Sequence, residues 1–170
     1  MHTPQQGSGY RRCSIGHFPG VSTALFTVRI AQPQDAAAIV QLEEQCVHES
    51  ESFRGSAQLL EAAPAIGNDL ENILANVNQS VFVIMSSDEV CGFAQMEIAD
   101  SVALVRRVYV QLTARELGAG ATLIDELRKH ARLQGCTRID AYALPGDRLT
   151  KNLFERAGMK ARLLIASSEL

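Results

Sequence analysis

Apolar and polar residues along this chain follow two different periods, and each change of period marks an element. Ala24 to Ala31 (ALFTVRIA) is short, apolar and β-branched, and predicts a strand. Pro33-Gln34-Asp35 then opens a helix, because proline suits a first turn and an acid suits its positive end. Ala36, Ile39, Leu42 and Cys46 form its apolar stripe, opposed by Glu43 and Glu44. His48 to Arg54 breaks the period and predicts a loop. A second helical region starts near Ala57 and is interrupted between Pro64 and Gly67. Its later stripe is Leu70, Ile73, Leu74 and Val77. Three strands are expected next, Ser80 to Met85, Val90 to Ala99 and Val102 to Val110, turned by Ser86-Ser87-Asp88 and Asp100-Ser101.

The helical period returns with Leu123, Ile124, Leu127 and Ala131, while Asp125, Glu126, Arg128, Lys129 and Arg132 fill the other face. Gly135 is placed to end that helix in left-handed geometry. Arg138 to Leu144 predicts another strand, stopped by Pro145-Gly146. Asp147 caps a helix from Arg148 to Ala157, with Leu149 and Leu153 inward and Gly158 after it. Lys160 to Ala166 is read as a last strand. The order β-α-α-β-β-β-α-β-α-β predicts one α/β domain over residues 24–170 with a mixed sheet and a short C-terminus. Residues 1–23 lack periodicity and acids, and are expected to be a disordered N-terminal extension. The short C-terminus leaves the last strand near an uncovered edge, which invites pairing into a homodimer.

Composition narrows the function. At 170 residues, 46% hydrophobic and 21% charged, the chain suits a single domain with a full core. No apolar run reaches membrane-span length, so no membrane partner is expected. Cys13, Cys46, Cys91 and Cys136 are far apart, with no CxxC pair, which argues against a zinc site or disulfide framework and for a cytoplasmic location. Aromatics are 5% and tryptophan is absent, with no basic–aromatic interleaving, so nucleic acid is not an expected partner. Net charge is −3, but residues 33–100 hold twelve acids against the single base Arg54. Residues 101–170 hold twelve bases against seven acids. An acidic half suits a cationic amine and a basic half suits an anionic coenzyme.

The chemistry concentrates in Val108 to Leu127 (VYVQLTARELGAGATLIDEL). A strand end leads through Arg115-Glu116-Leu117-Gly118-Ala119-Gly120-Ala121 into the amphipathic helix. Two glycines there leave backbone N–H groups open at a positive helix end, which is an anion cradle. The same pair also suits close helix–sheet packing. A P-loop is excluded, since no Lys-Ser or Lys-Thr follows at the required spacing. A dinucleotide fingerprint would need a third small residue, and it would ordinarily open its domain rather than follow a hundred residues.

Arg115 to Gly120 and, further on, Leu153 to Met159 (LFERAGM) stand in the order of two motifs, R/Q-x-x-G-x-G/A and L-Y-E-K-x-G-F. On these the chain resembles the GCN5-related N-acetyltransferase (GNAT) superfamily from about Thr27 onward. The stretch Leu144 to Glu155 is similar to a bacterial, largely actinobacterial, branch of it. The resemblance implies the GNAT acyl-CoA N-acyltransferase fold and acetyl-CoA as co-substrate. Its acetyl group would pass directly to an amine of a small molecule or a protein, with no acyl-enzyme. It implies that the coenzyme lies against Val108, Tyr109 and Val110, with its phosphates on the turn Arg115, Glu116, Leu117, Gly118, Ala119, Gly120 and Ala121. Asp147, Phe154, Arg148 and Lys151 complete the coenzyme set, and His48, Glu49 and Glu51 border the acceptor.

The pattern departs from the family at one place. Phe154 occupies the position of the family's proton-donating Tyr, and a phenyl ring donates no proton. Glu97, on the strand beside Val108 to Val110, is then the candidate base acting through water, and Tyr142 the candidate acid. Alternation sets Glu97 on the face of Gln95 and opposite Met96 and Ile98, and turns Tyr109 toward a helix. A second reading stays open: a non-catalytic acyl-CoA-binding or regulatory module.

Overall fold

The computed structural model describes residues 25–166 and 168, so the predicted extension over residues 1–23 lies outside the described residues. Five strands form one sheet in the order of the sequence: β1 (Thr27–Ile30), β2 (Gln79–Ser86), β3 (Glu89–Ala99), β4 (Val102–Val110) and β5 (Arg138–Ala141). Pairing is antiparallel from β1 to β4, and β4 pairs β5 in parallel. The helices are α1 (Ala36–Ser50), α2 (Ser56–Ala62), α3 (Leu70–Ala75), α4 (Leu112–Arg115), α5 (Ala119–Leu133) and α6 (Arg148–Arg156), with 3-10 turns at Pro33–Asp35 and Gly67–Asp69.

The sheet buries both faces, and the two cores contain different residues. On one face Ile39 and Leu42 of α1 and Leu70 of α3 pack with Val81, Val83, Phe93 and Tyr109. On the other, Leu123, Ile124 and Leu127 of α5 and Phe154 of α6 pack with Phe82, Ile84, Met96, Val105 and Val110. The strands are therefore apolar on both sides, which is why the run Val81–Ile84 shows no alternation.

β4 carries the decisive irregularity. Gln95 pairs with Arg107 but Met96 pairs with Val105, so Arg106 is an extra residue, a β-bulge. Below it Ala103 and Val105 face α5; above it Val108 and Val110 face α5 and Tyr109 faces α1. The strand changes phase at Arg106. Pairing with β5 also stops there, because the parallel register runs only from Val102 to Val105, and the Tyr142 N–H reaches the Val105 carbonyl at 3.3 Å. Beyond that point Arg106 to Val110 has no strand on its β5 side among the described residues.

Several expectations need correction. α1 runs through His48 to Ser50 instead of ending before a loop, since a solvent-facing last turn can be polar throughout. Glu43 is buried, not opposite the stripe. Val77 and Leu149 are 95% and 61% exposed, so neither joins the core. Val77 follows the end of α3, and Leu149 sits in the first turn of α6. Lys160 to Ala166 is not a strand; it is irregular chain with Leu163, Leu164 and Ile165 exposed and no ladder partner among the described residues.

Candidate active site

The turn after β4 begins with the short helix α4 and reaches Gly118, whose φ of +89° places it in the left-handed region. A Cβ there would meet nothing within 4 Å, so backbone conformation rather than crowding selects glycine. No side chain caps the start of α5, and its first internal bond is Thr122 N–H to the Gly118 carbonyl at 3.2 Å. The N–H groups of Ala119, Gly120 and Ala121 thus lead out of a positive helix end without helical partners. Gly120 has a different task. Its missing Cβ would lie 3.1 and 3.3 Å from the two Leu153 methyls, so it lets α6 pack against α5.

The expected coenzyme residues fall into two groups. Val108, Val110 and the Gly118–Ala121 helix start border the open side of β4. The Gln111 N–H bonds back to the Cys91 carbonyl at 2.8 Å, so alternation turns the Val108 N–H and carbonyl toward the side that β5 has left. Tyr109 contributes only backbone, since its side chain lies in the α1 core and its hydroxyl donates to Glu49 at 2.6 Å. Burial first, and that bond second, hold its phenol well above the usual range.

Arg115 is fastened rather than free. Its Nε donates to the Val110 carbonyl at 2.5 Å and its Nη2 to Glu49 at 2.7 Å, with the guanidinium 5.0 Å from the Tyr109 ring centre. Glu116 and Leu117 complete the turn, Leu117 with its side chain exposed. Asp147 caps α6 by accepting from the Thr150 N–H at 3.0 Å. Phe154 is buried in the α5-side core.

The two candidate proton-handling residues share the other face of the sheet. Glu97 pairs with Leu104 across β3–β4, and Leu104 pairs with Asp140 across β4–β5. Ile139 and Ala141 pack toward α5, so Asp140 and Tyr142 point the opposite way, to the face of Glu97. Tyr142 is 37% exposed at the end of β5. A cavity of about 240 Å³ lies there, lined by Glu97, Ala99, Val102, Leu104, Arg106 and Asp140. The Glu97 carboxylate is held by Arg106, whose guanidinium also reaches the Ala62 carbonyl. A larger cavity of about 640 Å³ touches Ser86, Asp88, Cys91, Gln111 and Leu117, residues of the β2–β3 turn and of the segment that follows β4.

Sequence reasoning missed the support beneath this face. Glu43, 5% exposed, accepts from the Ile66 and Gly67 N–H groups at 2.8 and 2.9 Å and from Arg107 at 3.3 Å. Arg107 also donates to the Ala63 carbonyl at 2.7 Å. Because of the bulge, Arg106 and Arg107 both reach the same side and grip two successive carbonyls of the α2–α3 connection. An acid at position 43, one step from the apolar residue Leu42, was the only signal available.

The family model described as "Acetyltransferase (GNAT) family" matches residues 39–159. The chain belongs to the GNAT acetyltransferase family. No curated protein matches it in sequence. Among solved structures it is similar to the aminoglycoside acetyltransferase AAC(6')-Iy in complex with a CoA bisubstrate analogue, at TM-score 0.63 and 16% identity over 85% of this chain and 99% of that one. A tetramutant of the BH1408 protein from Bacillus halodurans matches at TM-score 0.71 and 12% identity, over 85% and 99%. A protein from Clostridium acetobutylicum, titled a predicted acetyltransferase and solved with acetyl-CoA, matches at 0.64 and 13%, over 85% and 96%. At such identities the likeness speaks for the GNAT fold. Among the described residues no helix is long and apolar enough to cross a membrane.

Proposed function

We propose that this GNAT acetyltransferase is an acetyl-CoA-dependent N-acetyltransferase that moves an acetyl group directly to an amine of a small molecule or a protein. The observation that supports it most is the unpaired edge of β4 above Val105, which leads into the Gly118 helix entry. A coenzyme arm would add to that edge as a strand does, with its phosphates at the start of α5. The Val108 N–H is a backbone donor on that edge, suited to polarise a thioester carbonyl. That AAC(6')-Iy was solved with a CoA analogue and the Clostridium protein with acetyl-CoA favours the same coenzyme here.

The amine would approach from the cavity beside Glu97 and Arg106. Its nitrogen attacks the thioester carbon, a C–N bond forms, the C–S bond breaks, and the sulfur leaves as thiolate. One proton passes from the amine to Glu97 through water, and one from Tyr142 to the sulfur. The Arg106 guanidinium keeps the Glu97 carboxylate in place on its strand. Phe154, at the position where the family carries Tyr, packs in the core and handles no proton. The exposed Leu163, Leu164 and Ile165 beyond α6 suit pairing with a second copy into a homodimer. The cytoplasm is the compartment this reading implies.

Thiol release from acetyl-CoA, followed across a panel of amines, amino acids and peptides, tests the reading. Turnover with some acceptor, a fall in kcat/KM in Glu97→Gln and unchanged coenzyme affinity are expected. Full kcat/KM in Glu97→Gln across the pH range would remove it as the base. A gain in kcat for Phe154→Tyr would show that thiolate departure limits the rate. Coenzyme binding without thiol release for any acceptor would favour the second reading, a non-catalytic acyl-CoA-binding module. That alternative rests on Phe154, a residue with no proton to give.

A further inference from the structure

Glu49 sits in the last turns of α1, on a helix that continues to Ser50, so its backbone is fixed. Its two carboxylate oxygens serve two different elements. Oε1 accepts from the Tyr109 hydroxyl at 2.6 Å, and Oε2 accepts from Arg115 Nη2 at 2.7 Å. Tyr109 belongs to β4 and Arg115 closes α4, three residues before the left-handed Gly118. The guanidinium is thereby held from three directions: Glu49 at one end, the Val110 carbonyl at Nε, and the Tyr109 ring beneath it. Two of its five N–H groups are spent on these oxygens, and the other three have no partner among the described residues. The side chain is 22% exposed, so it is ordered yet reachable.

We propose that Glu49 is a positioning residue for the coenzyme: it holds Arg115 at the helix entry so that the unused guanidinium N–H groups meet the coenzyme phosphates. The inference rests on the coenzyme reading given above. A free arginine loses rotamer freedom when it closes on a phosphate, whereas one already fixed by a carboxylate, a carbonyl and a ring has lost that freedom during folding. Tyr109 completes the device. Its phenol is protonated at neutral pH and donates to the carboxylate, which fixes that carboxylate beside Arg115. The groups around Arg115 are Glu49, Tyr109, Gln45 (3.4 Å from the same hydroxyl) and the Val110 carbonyl. Glu49 carries the only negative charge among them.

The test compares coenzyme A with pantetheine, which has the same arm and thiol but no phosphates, by calorimetry on the full chain. Glu49→Ala should weaken coenzyme A by about fivefold to tenfold, the loss expected when one long side chain must be ordered on binding. Pantetheine affinity should stay within about twofold. Arg115→Ala should produce the same selective loss, and Glu49→Ala added to Arg115→Ala should cost nothing further. Should Glu49→Ala fold poorly, Glu49→Gln, which keeps the shape and one acceptor, carries the same comparison with a smaller selective loss. Equal weakening of both ligands would make Glu49 merely structural and overturn the proposal. So would a full Glu49 effect persisting in the Arg115→Ala background, or tighter coenzyme A binding in Glu49→Ala. Failure of the unaltered chain to bind coenzyme A at all would instead sink the coenzyme reading itself.

Discussion

Replacing Gly118 with alanine separates backbone conformation from crowding at the coenzyme turn. The position has φ +89° and open space on every side, so the new methyl group meets nothing. The whole cost comes from holding an L-residue in left-handed geometry, about 1 kcal/mol. In a domain of this size such a change lowers Tm by about 2–4 °C. The strain can be relieved only by rotating the entry of α5, which redirects the N–H groups of Ala119, Gly120 and Ala121. Coenzyme affinity should therefore fall together with stability. Gly118→Asn should recover most of both, since asparagine tolerates left-handed geometry. Gly120→Ala is the contrast. Its methyl meets the two Leu153 methyls at 3.1 and 3.3 Å, a flexible neighbour that can yield by tenths of an ångström. Alanine's better helix propensity, up to about 1 kcal/mol, offsets that cost. Thermal melts and coenzyme calorimetry on the three variants decide the matter. An unchanged Tm in Gly118→Ala, or an asparagine variant no better than alanine, would refute the conformational argument.

Two further outcomes follow from the ion pairs. Glu43→Gln or Arg107→Met, each leaving one buried charge without its partner, should cost about 3–5 kcal/mol in urea unfolding, and double replacement by apolar residues should not restore stability, because the Ile66 and Gly67 N–H groups and the Ala63 carbonyl stay unpaired. Asp35 is held below the usual carboxylate range, first by its hydrogen bond from Arg29 at 2.6 Å and then by the Gln32 N–H, against the opposing effect of burial. Its folded pKa is the lower one, so its contribution is complete above the unfolded value near 3.8 and is lost as pH falls through the depressed folded value. Asp35→Asn should accordingly remove part of the stability at pH 6 and leave stability at pH 2 almost unchanged.

What the sequence revealed, and what it hid, divides along physical lines. Val102 to Val110 was legible to the residue, because turn residues bound it at one end and a change of period at the other. Gly118 was legible as a helix entry because glycine meets left-handed geometry at the least cost. Gly120 was not separable from it, since packing against Leu153 depends on a helix thirty residues further on. Glu43 was invisible for the same reason: its partners, Ile66, Gly67 and Arg107, are distant in the chain, and locally it reads as a surface acid. Leu163 to Ile165 have strand composition, but a strand needs a neighbour, and composition names none.

The extra residue in β4 gives this strand one position where its length can change without changing which side chains are inside. Deleting Arg106 alone would join Val105 directly to Arg107 and restore strict alternation. Val105, Val108 and Val110 would stay under α5, and Arg107 and Tyr109 would stay on the α1 side, because Arg106 and Arg107 now share that side. A gap at Val108 would instead put Tyr109 or, if the bulge closed to absorb it, Arg107 among Leu123, Ile124 and Leu127. A deletion scan through β4 should therefore be more forgiving at position 106 than at Val108, the gap at 106 removing only the bulge and its grip on Glu97 and Ala62.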